Sequence, residues 1–131
     1  LLALIKMAKK KGLKEVYIHA FLDGRDVLPQ VAKDDIKDLE TFLEKEGLGE
    51  ISTIVGRYYA MDRDSRWDRI ELAYDAMVRG KGKVSMAAED AIKESYAEGI
   101  DDEFVKPIVM SGRRIAKGDS LIFFNFRADR G

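Results

Sequence analysis

Ile51-Ser-Thr-Ile-Val55 runs straight into Gly56-Arg-Tyr-Tyr-Ala-Met-Asp-Arg-Asp-Ser-Arg-Trp-Asp-Arg69, so an apolar segment of strand length ends in an arginine-rich turn. The turn holds Arg57, Arg63, Arg66 and Arg69 but no lysine, although the chain has 13 lysines against 10 arginines. A guanidinium is a planar fork that meets a carboxylate or phosphate through two parallel hydrogen bonds, whereas an ammonium is a mobile point charge. The bias therefore reads as geometric recognition of an anion. The competing reading is a solvated face, neutralised locally by Asp62, Asp64 and Asp68, with Asp62 and Arg66 at the i,i+4 helical spacing.

Two other segments are built alike. Phe21-Leu-Asp-Gly-Arg-Asp-Val27 follows an apolar run and carries Arg25 and Asp26, and Phe123-Phe-Asn-Phe-Arg-Ala-Asp-Arg130 ends in Arg127 and Arg130. The three segments hold seven of the ten arginines and none of the lysines. Parallel strands in open α/β sheets deliver ligand residues at their carboxyl ends, so the three are expected to converge on one concave anion pocket.

Outward from these segments the chain alternates helix and strand patterns. Leu1 to Lys11 has helical apolar spacing closed by Gly12, and Val16 to Leu22 reads as a buried strand. His19 within it is expected to be a hydrogen-bonded core residue and not a ligand. Pro29 sits where a first-turn proline is tolerated, and Val31 to Lys45 is a helix closed by Gly47. Trp67 to Met77 reads as a packed helix, with Trp67 and Tyr74 as packing residues, ending in the Gly80-Lys-Gly-Lys83 turn. Ala87 to Ala97 is a further helix with Ser85 as candidate cap. Asp101 to Val105 reads as a loop, Pro107 to Met110 as a short strand, Ser111-Gly-Arg-Arg114 as a hairpin turn with surface arginines, and Leu121 to Phe126 as the last strand. The expected architecture is one α/β domain, with helices layered around a parallel or mixed sheet.

Composition narrows the function. The formal net charge of −1 gives no argument for nucleic acid or a membrane surface. With no cysteine, a disulfide framework and thiol catalysis are excluded. No apolar run approaches the ~20 residues of a membrane span, and Leu1-Leu-Ala-Leu-Ile5 lacks the charged leader of a signal peptide. Without an initiating methionine, and halting at Gly131 just after the third arginine segment, the sequence reads as a piece of a larger protein with part of its sheet missing.

Four stretches, His19-Ala-Phe-Leu-Asp-Gly-Arg-Asp26, Gly56 to Asp64 with Arg66-Trp-Asp-Arg69, Asp102-Glu-Phe-Val105 and Phe123 to Arg130, occur in order across nearly the whole chain. Together they closely resemble the cofactor-independent (2,3-bisphosphoglycerate-independent) phosphoglycerate mutases, in the domain that holds the phosphoglycerate. The resemblance implies an isomerase of glycolysis that interconverts 3-phosphoglycerate and 2-phosphoglycerate through a phosphoserine intermediate. It places Arg25, Asp26, Arg57, Arg63, Arg127 and Arg130 at the substrate. Asp26 is either the acceptor of the glycerate hydroxyl proton or a plain orienting partner for one arginine. Ala128 stands where the family usually has proline, and a histidine contact upstream of the first motif has no counterpart here. The nucleophilic serine and two manganese ions are implied in a separate phosphatase-like domain of the same polypeptide, so residues 1–131 alone are expected to be inactive. A cytoplasmic monomer is expected, with no metal held by these residues. Two rivals remain: a metal site on Asp62, Asp64 and Asp68, which the interleaved arginines oppose, and a non-catalytic module that captures a phosphorylated or acidic partner.

Overall fold

The structure is a computed structural model that describes residues 1–110, 113–123 and 127–130. Its elements are α1 (Leu2–Lys10), β1 (Tyr17–Leu22), α2 (Ala32–Glu46), β2 (Glu50–Gly56), α3 (Arg57–Ala60), α4 (Trp67–Tyr74), β3 (Lys83–Val84), α5 (Ala88–Ala97) and β4 (Ile108–Val109). Short 3-10 turns occupy Asp102–Phe104 and Ala128–Arg130.

The sheet order is β1-β2-β4-β3. β1 and β2 are parallel, paired from Tyr17 with Glu50 to Leu22 with Gly56, so the turns that follow them leave side by side. β4 runs antiparallel to β2 and parallel to β3, which makes the sheet mixed. Every residue of β2 after Glu50 is buried, as expected of a strand covered on both faces. The core joins Ile5 of α1, Ile36, Leu39 and Leu43 of α2, and Ile92 of α5 to Ile18, Leu22, Ile51 and Ile54 of the two long strands. His19 is hydrogen-bonded as expected, with Nδ1 2.8 Å from the Thr53 hydroxyl on the neighbouring strand, but it is half-buried and lies outside the core cluster, at the edge of a cleft.

Helix α2 shows why one helix end was legible and the other was not. Gly47 adopts φ 64°, and its N–H bonds back to the Leu43 and Glu44 carbonyls, a left-handed stop that glycine makes without penalty. Pro29 lies before the helix, in a turn where Gln30 has φ 63°, and not in the first helical turn. The start is capped from far away. Asp102 Oδ2 accepts the N–H groups of Val31 at 3.0 Å and Ala32 at 3.1 Å. Asp102 Oδ1 accepts the Tyr96 hydroxyl, and the Lys33 N–H donates to the Tyr96 oxygen. The Asp102 side chain is fully buried, so segment 101–105, expected to be a plain loop, is a turn anchored in the core.

Three other expectations are corrected. Helix α4 ends at Tyr74 and continues as a π-turn, Asp75–Arg79, closed by Gly80 at φ 68°. Only Ala73 and Ala76 of that stretch are buried, because two small side chains face the core, while Trp67 (71% exposed), Leu72 and Tyr74 face outward. Ser85 does not cap α5. The N-cap position is Ala87, and the Ser85 hydroxyl braces the preceding turn through the Ala87 N–H and carbonyl. Of the expected strand Leu121–Phe126, residues Leu121, Ile122 and Phe123 are exposed and belong to no strand, and 124–126 lie outside the described residues. Ser111 and Gly112 of the expected hairpin also lie outside them; Arg113 and Arg114 are exposed, and Arg113 is 3.5 Å from Glu15. No helix among the described residues is long and apolar enough to cross a membrane.

Asp102→Ala should destabilise the chain by roughly 2–4 kcal/mol, the loss of a cap plus a stranded hydroxyl. Tyr96→Phe should cost about 1.5–3 kcal/mol, the range for a hydrogen bond to a charged group. Urea unfolding checks both, and losses under about 0.5 kcal/mol would show that the helix start is held by something else.

His19 gives a pH signature. Burial lowers its proton affinity in the folded chain, whereas the unfolded chain takes a proton near pH 6.5. Below that pH the unfolded state binds more protons, so stability is complete above about pH 6.5 and falls as pH drops toward the lowered value. His19→Gln should flatten the melting temperature between about pH 7 and 5 relative to the parent chain; parallel curves would rule this out.

Candidate anion site at the strand ends

The turn after β1 is closed by Asp23, whose Oδ1 accepts the N–H groups of Arg25 and Asp26, both at 3.1 Å. Aspartate before glycine commonly closes a turn this way. Gly24 sits between them at φ 68°, and a Cβ there would lie 2.8 Å from both the Asp102 Cβ and the Glu103 nitrogen. At the end of β2, Gly56 donates to the Val105 carbonyl at 2.8 Å, and a Cβ on it would collide with the Glu103 carbonyl. Both arginine-bearing turns therefore rest on the Asp102–Phe104 turn, and only glycine permits the approach.

Arg57 opens α3 directly after Gly56 and is 7% exposed. Its Nη1 donates to Asp23 Oδ1 at 2.6 Å and to Asp26 Oδ2 at 2.7 Å. The bond to Asp26, ahead of those to Asp23, raises the Arg57 proton affinity and keeps it charged. Burial pushes the Asp23 carboxyl upward, but the Asp26 N–H, the Arg57 guanidinium and the Arg25 N–H together hold it below the usual carboxylate range. Both acids use the same terminal nitrogen, so neither occupies Nη2. Arg25 is largely exposed and reaches Glu103 at 3.4 Å.

The other sequence-predicted arginines form a second group. Arg63 Nη1 donates to Asp129 Oδ2 at 3.1 Å. Arg127 grips the same carboxylate with two prongs, Nε to Oδ1 at 3.1 Å and Nη2 to Oδ2 at 2.9 Å. These bonds, Arg63 first, lower the Asp129 carboxyl. Arg130 Nη1 donates to the Met61 carbonyl, and its Nε is buried with no acceptor among the described residues. Two cations thus share the Asp129 carboxylate, and Arg130, next in sequence, has a donor unsatisfied among the described residues. α3 links the groups, carrying Arg57 at its start and ending just before Met61.

Between them lies a structural brace. Asp62 Oδ2 accepts the backbone N–H groups of Arg66 and Asp64, which hold its carboxyl below the usual range, Arg66 foremost. Asp62 Oδ1 is 3.6 Å from Arg69, whose guanidinium lies 3.8 Å from the centre of the Tyr58 ring. Asp62 is thus paired by Arg69 and by backbone, and the Arg66 side chain is exposed. Among the described residues no three His, Cys, Asp or Glu side chains gather as a metal would require. Asp64 and Asp68 are exposed and do not join Asp62 around a cation. Asp23, Glu103 and Asp129 are partners of the candidate arginines that sequence reasoning missed; only Asp23, before Gly24, carried a local signal.

Two clefts lie away from these groups, one at the starts of β1 and β2 beside Glu40, Glu44 and Met86, the other between α1 and residues 113–122. Their lining offers no comparable set of arginines, so the chemistry points to the strand ends.

A family profile described as BPG-independent PGAM N-terminus matches residues 1–131. The chain is 55% identical over 97% of its length to the 2,3-bisphosphoglycerate-independent phosphoglycerate mutase of Clostridium perfringens strain SM101, and 56% identical over 98% to that named phosphoglycerate mutase 1 in Methanosarcina acetivorans. It spans 26% of the length of each. A crystal structure of Leishmania mexicana phosphoglycerate mutase at low cobalt concentration matches with a TM-score of 0.92 at 29% identity, over 98% of this chain and 26% of that one.

Proposed function

Since this chain belongs to the BPG-independent phosphoglycerate mutase N-terminal family, we propose that residues 1–131 are part of the substrate-binding domain of such an enzyme, a cytoplasmic isomerase of glycolysis. It would hold glycerate while 3-phosphoglycerate and 2-phosphoglycerate interconvert through a phosphoserine. The nucleophilic serine, the manganese ions and the phosphatase-like domain that carries them belong to the remaining length of the polypeptide.

The observation that carries this reading is the second arginine group, where Arg63 and Arg127 meet on Asp129 and Arg130 has a buried Nε with no acceptor among the described residues. Its excess positive charge, carried on the half-exposed Arg63 and Arg127 side chains, suits a phosphate or carboxylate, and arginines fixed in advance stabilise charge during transfer. Arg57, and Arg25 on the exposed rim, serve the other end of the substrate. Asp26 gives Oδ2 to Arg57 and remains 71% exposed, so its carboxylate stays within reach of a glycerate hydroxyl. As that hydroxyl oxygen attacks phosphorus and the serine oxygen leaves, Asp26 accepts the hydroxyl proton.

In the full-length enzyme, Arg57→Lys or Arg63→Lys should lower kcat/KM about tenfold or more, because lysine cannot reproduce the two-pronged contact, while Arg66→Lys changes it little. Steady-state kinetics decide this, and equal losses at Arg63 and Arg66 would place the edge of the site elsewhere. Residues 1–131 alone should show no turnover with manganese and 3-phosphoglycerate, yet 3-phosphoglycerate should raise their melting temperature. A rise with a phosphorylated peptide and none with phosphoglycerate would instead favour a non-catalytic binding module.

A further inference from the structure

We propose that Asp23 is a positioning residue that supplies the standing counter-charge of Arg57 and thereby leaves Asp26 available to substrate. The inference rests on the reading of the site given above. One oxygen, Asp23 Oδ1, takes three donors: the Arg25 N–H, the Asp26 N–H and Arg57 Nη1. The first two fix the path of the turn and so the point from which the Asp26 side chain departs. The third joins that turn to the end of the neighbouring strand, 34 residues further along the chain.

The two acids on Arg57 are not equivalent. Asp23 is 37% exposed and tied by its own backbone turn, whereas Asp26 is 71% exposed and meets Arg57 through one bond. A guanidinium as buried as Arg57 needs a permanent partner, since an unpaired buried charge is strongly disfavoured. With Asp23 in that place, Asp26 can leave Nη1 for a hydroxyl without stranding the cation. Without it, Asp26 becomes the sole counterion and is held inward.

The test uses the full-length enzyme. Asp23→Asn keeps an oxygen for the two backbone N–H groups but removes the charge. It should lower kcat/KM about tenfold in the parent background, and by less than about twofold when Arg57→Ala is already present, because a residue that acts through Arg57 loses its effect with Arg57. If the Arg57→Ala variant does not fold, as judged by circular dichroism, Arg57→Gln takes its place in the cycle. A purely structural role for Asp23 would give losses that multiply, and that result overturns the proposal. So does an Asp23→Asn enzyme at parental activity beside an impaired Arg57 variant. If the Arg57 variant itself keeps parental activity, the substrate-site reading fails, and this proposal fails with it.

Discussion

One buried carboxylate, that of Asp102, ties the start of α2, Tyr96 of α5 and the turn beneath the two arginine-bearing segments to a single point. A charge taken out of water is tolerated only when hydrogen bonds replace its hydration, and here two N–H groups of α2 and the Tyr96 hydroxyl of α5 do so, at a helix end whose dipole favours an anion. The same residue begins the turn whose backbone lies against Gly24 and Gly56. The core and the two arginine-bearing turns are thus seated on one object. A shift of that turn by a few tenths of an ångström would move Arg25, Asp26 and Arg57 together.

The two arginine groups differ in electrical character. Around Arg57, two carboxylates share one guanidinium, so that group is locally acidic. Around Asp129, Arg63 and Arg127 share one carboxylate beside Arg130, so that group is basic and unsatisfied. Arg69 and Asp62 stand between the groups and set the course of the chain that carries Arg63.

Much of this was written in local patterns. β1, β2, α2 and α5 announce themselves by apolar spacing, the end of α2 by Gly47, and the turn after β1 by Asp23 and Gly24. What escaped depends on distant partners. Nothing around Val31 signals that Asp102 will cap it, and nothing around Arg63 signals Asp129. Trp67 misled because a large aromatic at helical spacing normally points inward, while this helix turns only Ala73 and, in the π-turn that follows, Ala76 toward the core. The arginine bias was legible because guanidinium geometry is a property of the residue itself. The division of those arginines into two groups was not, since it follows from which acids the fold brings near.

The cap on α2 also imposes an order of events on a growing chain. Val31 and Asp102 are 71 positions apart, so when the helix emerges from the ribosome the acid that satisfies its first N–H groups has not yet been made. Closing a loop of that length is entropically unfavourable and is rewarded only once the Asp102 turn, Tyr96 of α5 and the β-strands arrive together. The opening turn of α2 therefore lacks this cap until synthesis has passed residue 102, and the arginine-bearing turns lack until then the segment on which they rest.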